Sequence, residues 1–186
     1  GSGWITAGSG RIDLTGKPLA EAGYTRTAFE LEEKPVIAVR PVNHTDEKHS
    51  PSAWKMTNAQ ESWSWAGCEG KKAYVEVYAR AAKIALFLNG RLIAEKELKD
   101  RCDAMFTVEY RPGRLEAVSY DADGRETARN SLETAGEETI LRAVPEQKAV
   151  RPDGLCFIRL QYTDKKGTVK PLERGTLHVT VTNGEL

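Results

Sequence analysis

The fold is most legible in Ile84-Ala85-Leu86-Phe87-Leu88-Asn89-Gly90-Arg91-Leu92-Ile93-Ala94. Two apolar runs flank Asn89-Gly90. A two-residue hairpin loop needs φ > 0 at both central positions, which Asn and Gly accept at least cost, so the run reads as a β-hairpin. Moving outward, strands are predicted at Val36-Ile37-Ala38-Val39, Tyr74-Val75-Glu76-Val77-Tyr78, Phe106-Thr107-Val108-Glu109-Tyr110, Leu115–Tyr120 and roughly 125–132. Pro112-Gly113 and Asp123-Gly124 supply their turns. About seven short strands with turn signals roughly every ten residues predict an immunoglobulin-like β-sandwich.

The flanks differ. Residues 1–17 are rich in Gly, Ser and Thr, and Pro18 suits the first turn of a helix, where its missing N–H costs nothing. Ala20, Tyr24, Ala28 and Leu31 then recur at near-helical spacing, predicting an amphipathic helix from Pro18 to about Glu33 that ends before Pro35. With no partner helix nearby, its apolar stripe is expected to dock on the sandwich near Trp63 and Trp65. After the polar linker 133–138, a second β unit is expected at Thr139–Val144, Leu155–Tyr162 and Thr176–Thr182, with a turn at Asp164-Lys165-Lys166-Gly167. Three or four strands are fewer than such a sandwich uses, so this unit reads as truncated. The expected organisation is 1–33, 34–134 and 135–186. Gly1 stands where a Met would open a complete chain, and the sequence reads as an excised segment.

Composition narrows the function. Lys+Arg and Asp+Glu are 27 each, with no run of like charge, which argues against a nucleic-acid or anionic-membrane partner. No apolar run approaches the roughly 20 residues of a membrane span. Cys68, Cys102 and Cys156 are odd in number and include no Cys-x-x-Cys, so neither a disulfide scaffold nor a zinc site is expected. They read as three free thiols, Cys156 in a strand core, and tilt the otherwise open question of compartment towards the cytoplasm.

No cofactor or metal is expected. His44 and His49 share a loop and His178 lies far off; as exposed loop residues the first two lack a completing ligand. Asp121 and Asp123 are turn formers before Gly124, short of the oxygens a calcium site needs. Gly8-Ser9-Gly10 lacks the Gly-Lys-Ser/Thr ending of a phosphate loop. The acidic residues read as solvated surface, so no catalytic pair is assigned. Trp54, Trp63 and Trp65 are three of the four tryptophans, within twelve residues. They read either as sheet cover or interface, or as a platform on which sugar rings stack, which makes them the candidate substrate-binding residues and carbohydrate a candidate partner.

Several segments together resemble family 2 glycoside hydrolases. Gly10-Arg11-Ile12-Asp13-Leu14-Thr15-Gly16-Lys17-Pro18 with Tyr24 and Arg26 is similar to the end of the family's (β/α)8 barrel, though Lys17-Pro18 follows Gly16 directly and Thr25 stands where a second Tyr is common. Glu61-Ser62-Trp63-Ser64-Trp65-Ala66-Gly67 with Glu69-Gly70, then Val75-Glu76-Val77-Tyr78, resembles the entry to its first C-terminal sandwich. Leu86-Phe87-Leu88-Asn89-Gly90-Arg91, the run Tyr110–Asp121, Thr134-Ala135-Gly136 and Ile140-Leu141-Arg142 follow in the family's order. The resemblance implies the C-terminal part of a β-galactosidase-like parent that hydrolyses β-glycosidic bonds by a retaining mechanism. Its upstream barrel would be the partner in the same chain. The family's two catalytic Glu residues precede the matched region, so the fragment itself is expected to be inactive. Residues 1–33 would be the barrel's last connection and helix.

Overall fold

The structure, a computed structural model, describes residues 10–13, 16–47 and 55–182. In chain order it runs α1 (Ala20–Ala28), β1 (Val36–Val39), a short 3-10 turn (Val42–His44), β2 (Lys72–Tyr78), β3 (Lys83–Leu88), β4 (Arg91–Glu97), β5 (Asp103–Glu109), β6 (Arg114–Tyr120), β7 (Glu126–Glu133), β8 (Ile140–Pro145) and β9 (Ile158–Thr163). Among the described residues, no helix is long and apolar enough to cross a membrane.

Strands β1 to β7 form a sandwich of two antiparallel sheets, β1-β2-β5 and β4-β3-β6-β7. The hairpin expected at Asn89-Gly90 is present, with φ of 52° and 79°. The Asn89 side chain also accepts from Arg114 N at 2.8 Å and donates to Pro112 O at 3.2 Å, tying the β3–β4 turn to the β5–β6 turn. Between the sheets lies one core that includes Ile37, Val39, Val75, Val77, Ile84, Leu86, Leu115, Trp63, Trp65 and Tyr110.

β1 shows why the helix is needed. All four of its residues are buried, so both faces are covered. Ile37 and Val39 point into the sandwich core, whereas Val36 and Ala38 join Ala20, Ala59 and Tyr78 in a second, smaller cluster outside the sheet. α1 supplies that outer layer. Gly23 permits it, because a Cβ there would lie 2.7 Å from Val36 Cγ1.

Three expectations need correction. The helix is shorter than 18–33: Glu30 takes a left-handed φ of 60°, and Leu31 N and Glu30 N close back on Arg26 O and Thr27 O. That is a Schellman-type stop, ahead of Pro35. The docked face also differs from the Ala20–Tyr24–Ala28–Leu31 stripe, and it lies over Val36, Ala38 and Tyr78 rather than near Trp63 and Trp65. Ala20, Glu21, Ala22, Gly23 and Thr27 are buried, while Tyr24 and Leu31 are 38% and 73% exposed. Finally, Cys156 is not in a strand core: β9 begins at Ile158 and Cys156 is part-exposed, while Cys68 is the buried thiol.

Beyond the sandwich, β8 and β9 pair into a separate two-stranded sheet. Residues 176–182, expected as a strand, pair with no strand among the described residues.

Candidate functional site

Two places join the elements, and both are built largely from polar contacts. The first surrounds the tryptophans. Trp63 and Trp65 are 0% and 1% exposed, so neither ring offers a face to a ligand from solvent. Trp54 lies outside the described residues. Trp63 packs edge-on against Tyr110, with ring centroids 4.8 Å apart, and donates its indole N–H to Arg111 O at 3.0 Å. Trp65 donates its indole N–H to Ser62 O at 3.3 Å, and its backbone N–H to the Tyr110 hydroxyl at 2.9 Å. Burial pushes the Tyr110 hydroxyl above its ordinary pKa, so it stays a neutral donor and acceptor.

The same segment clasps the exit from β7. Thr134 Oγ1 donates to Trp63 O at 2.7 Å, and Ala135 N donates to Ser64 Oγ at 2.8 Å. One step further, the Asp164 carboxylate accepts from Gly136 N at 2.9 Å and Thr168 N at 2.8 Å. These backbone donors hold its pKa below the ordinary value, the Gly136 bond contributing most. Lys170 Nζ adds bonds to Glu137 O and Thr139 Oγ1. The linker between the two β units is therefore hydrogen-bonded to both.

The second place lies between α1 and the sandwich. A cavity of about 340 Å³ is lined by residues that include Glu21, Tyr24, Arg40, Thr57, Glu76 and Tyr78. Glu21 and Glu76 are 9% and 6% exposed, against the expectation that the acidic residues are solvated. Glu21 Oε1 accepts the backbone N–H groups of Met56 and Thr57, the latter at 2.8 Å. Glu76 Oε1 accepts from Arg40 Nε and Thr57 Oγ1, each at 2.7 Å, and its Oε2 accepts from the Tyr78 hydroxyl. Burial, reinforced by the Glu76 carboxylate, raises the Tyr78 hydroxyl far above its ordinary pKa. Tyr24 meets Tyr78 edge-to-face at 5.7 Å. Thr57 thus bridges the helix carboxylate to the strand carboxylate, and one chain of bonds runs from α1 to β2.

That arrangement binds protein to protein. Glycoside hydrolysis asks for two carboxyls flanking a bound sugar, one to protonate the leaving group and one to attack or activate water. Here both Glu76 oxygens and Glu21 Oε1 are engaged by donors of the chain itself. Sequence reasoning missed the pair. The available signal was β1, whose unbroken apolar run marks a strand covered on both sides, so that Glu76 opposite Ala38 is buried too.

The remaining candidates are dispersed. Asp121 Oδ1 accepts from Asp123 N and Arg125 N at 2.9 and 2.8 Å, a turn role, while the Asp123 carboxylate pairs with Arg125 at 3.4 Å. His44 Nδ1 lies 2.6 Å from Glu47 Oε1; His49, Gly8 and Ser9 lie outside the described residues. Among the described residues, no group of three or more His, Cys, Asp or Glu is arranged to hold a metal.

A family model described as a domain of unknown function (DUF4982) matches residues 70–128, from the start of β2 into β7. No curated protein matches the chain. Among solved structures, the chain is similar to a family 2 glycosyl hydrolase from Bacteroides cellulosilyticus DSM 14838, at 28% identity and a TM-score of 0.68, over 86% of this chain and 22% of that one. A β-glycosidase from Bacteroides vulgatus shares the fold at 21% identity and a TM-score of 0.60, over 87% of this chain and 18% of that one. So does a β-glucuronidase from glycoside hydrolase family 2, at 16% identity and a TM-score of 0.62, over 89% and 15%. This chain spans about a fifth of their length. The resemblance to family 2 glycoside hydrolases carried by the ordered motifs thus extends to the three-dimensional structure over most of the chain.

Proposed function

We propose that this chain is a non-catalytic accessory part of a family 2 glycoside hydrolase, fixing the angle between a catalytic (β/α)8 barrel and the β-sandwich modules that follow it. In this reading residues 1–33 close the barrel, 34–134 are the first sandwich and 135–186 belong to the second module. The parent enzyme hydrolyses β-glycosidic bonds by a retaining mechanism, with both carboxyls supplied by the barrel.

The observation that carries the reading is the two-sided helix. One face of α1 is locked to the sandwich by Gly23 against Val36 and by Glu21 on the 56–57 backbone. Beyond that face, the turn that follows leaves Phe29 and Leu31 72% and 73% exposed, and Tyr24, edge-on to Tyr78, keeps 38% of its surface open. Large apolar side chains in that setting fit a second layer packed on the helix from outside, as a barrel would provide.

The test is an assay of this chain alone on nitrophenyl β-galactoside, β-glucuronide and β-mannoside. The reading expects no turnover above background. Turnover that vanishes when one acidic residue of this chain is replaced by its amide would overturn it.

A further inference from the structure

The β8–β9 sheet confines its charged side chains to one face. Residues directly opposite each other across an antiparallel pair project to the same side. Leu141 with Tyr162, Ala143 with Leu160 and Pro145 with Ile158 therefore share one face, while Ile140 with Thr163, Arg142 with Gln161 and Val144 with Arg159 share the other. The first face carries no charge, yet Leu141, Leu160 and Ile158 are 47%, 41% and 58% exposed. A bare two-stranded pair is marginal in water and needs an apolar layer against it.

The chain carries a matching surface. Thr176-Leu177-His178-Val179-Thr180-Val181-Thr182 alternates strictly, with apolar residues at the odd positions and Thr or His at the even ones. That is the pattern of a half-buried strand. Among the described residues the segment nonetheless pairs with no strand, and Leu177, Val179 and Val181 are 37%, 50% and 44% exposed. Its starting point is already in place. Gly175 sits so close to Tyr162 that an added Cβ would lie 2.3 Å from the hydroxyl oxygen, and Tyr162 belongs to the apolar face.

We propose that residues 176–182 form the strap of this face, laying the Leu177–Val179–Val181 row on Leu141, Leu160 and Ile158 and turning a two-stranded sheet into a two-layer unit. The short tether 164–175 favours this occupant over a second copy of the chain. An intramolecular partner on a short linker acts at an effective concentration in the millimolar range, well above the protein concentration at which two copies would meet.

Two triple variants of the full chain separate the rows: Leu177→Asp/Val179→Asp/Val181→Asp, and Thr176→Asp/His178→Asp/Thr180→Asp. Amide hydrogen exchange is read at Leu141–Val144 and Ile158–Tyr162, with Val75–Tyr78 as the internal check that the first sandwich is folded. The apolar-row variant should speed exchange in β8 and β9 by about tenfold or more, and the polar-row variant by less than about threefold. Equal effects of the two rows, or no effect of either, would overturn the proposal. So would protection of β8–β9 that falls on dilution of the unmodified chain together with a dimeric mass in light scattering, since the occupant would then be a second copy.

Discussion

Trp65 donates from both its backbone and its indole nitrogen and lies in the centre of the sandwich core, so its ring cannot be removed without leaving a void. Trp65→Ala should lower the unfolding free energy by about 3–5 kcal/mol, read by denaturant titration. A variant of unchanged stability would mean that the ring is not buried. Glu21 is a different kind of residue. Its carboxylate serves two backbone donors, and Glu21→Ala should cost about 1–3 kcal/mol by leaving Thr57 N unsatisfied in a buried place. The loss should appear as faster exchange of the Thr57 amide, with β6 unaffected. Asp164 gives a pH signature. Its pKa is depressed in the folded chain, so its stabilisation is fully present above the unfolded value of about 3.9 and is lost as pH falls through the folded value. The stability gap between the parent chain and Asp164→Asn should be constant at neutral pH and shrink below about pH 4. A gap that widens on acidification would contradict the assignment.

The strands of the first sandwich were legible from alternation and turn chemistry, because each buries one apolar row against a partner sheet. Val36–Val39 and the Asn89-Gly90 hairpin fall where they were expected, and the strand expected at 115–120 is β6. α1 was legible as a helix but not in its docking. The face it buries contains Glu21, Gly23 and Thr27, and close approach and hydrogen bonds hold it there, neither of which hydrophobic periodicity detects. The apolar stripe that periodicity does detect is only partly used: Ala20 is buried and Tyr24 packs on Tyr78, while Leu31 is turned to solvent. Gly23→Ala tests the close approach. A methyl group 2.7 Å from a stiff, β-branched Val36 cannot be accommodated without displacement, so the change should destabilise the α1–β1 contact by about 1–3 kcal/mol although Ala favours helix. Thermal unfolding at equal or higher midpoint would show that the helix is not seated on Val36. The 176–182 alternation was equally readable, but alternation gives a strand's faces and not its neighbours, which is why the pairing does not follow from it.

At the scale of the molecule, the candidate site was the least legible part. Three tryptophans close in sequence suggest a sugar platform by composition alone, yet two of them are the clasp between the first sandwich and the linker to the second unit. The buried carboxylates that join helix to sheet are 55 positions apart and share no motif. Both places connect layers, as the proposed role of a rigid joint requires, with α1 fastened to one sheet and Phe29 and Leu31 left exposed beyond it. A nine-residue helix is unstable alone in water, so its protection reports its docking directly. Hydrogen exchange of the intact chain near neutral pH is the most direct measurement. The Ala22–Ala28 amides should be protected to within about tenfold of those in Val75–Tyr78, and exchange of the helix at coil rates beside a protected β2 would contradict a docked α1.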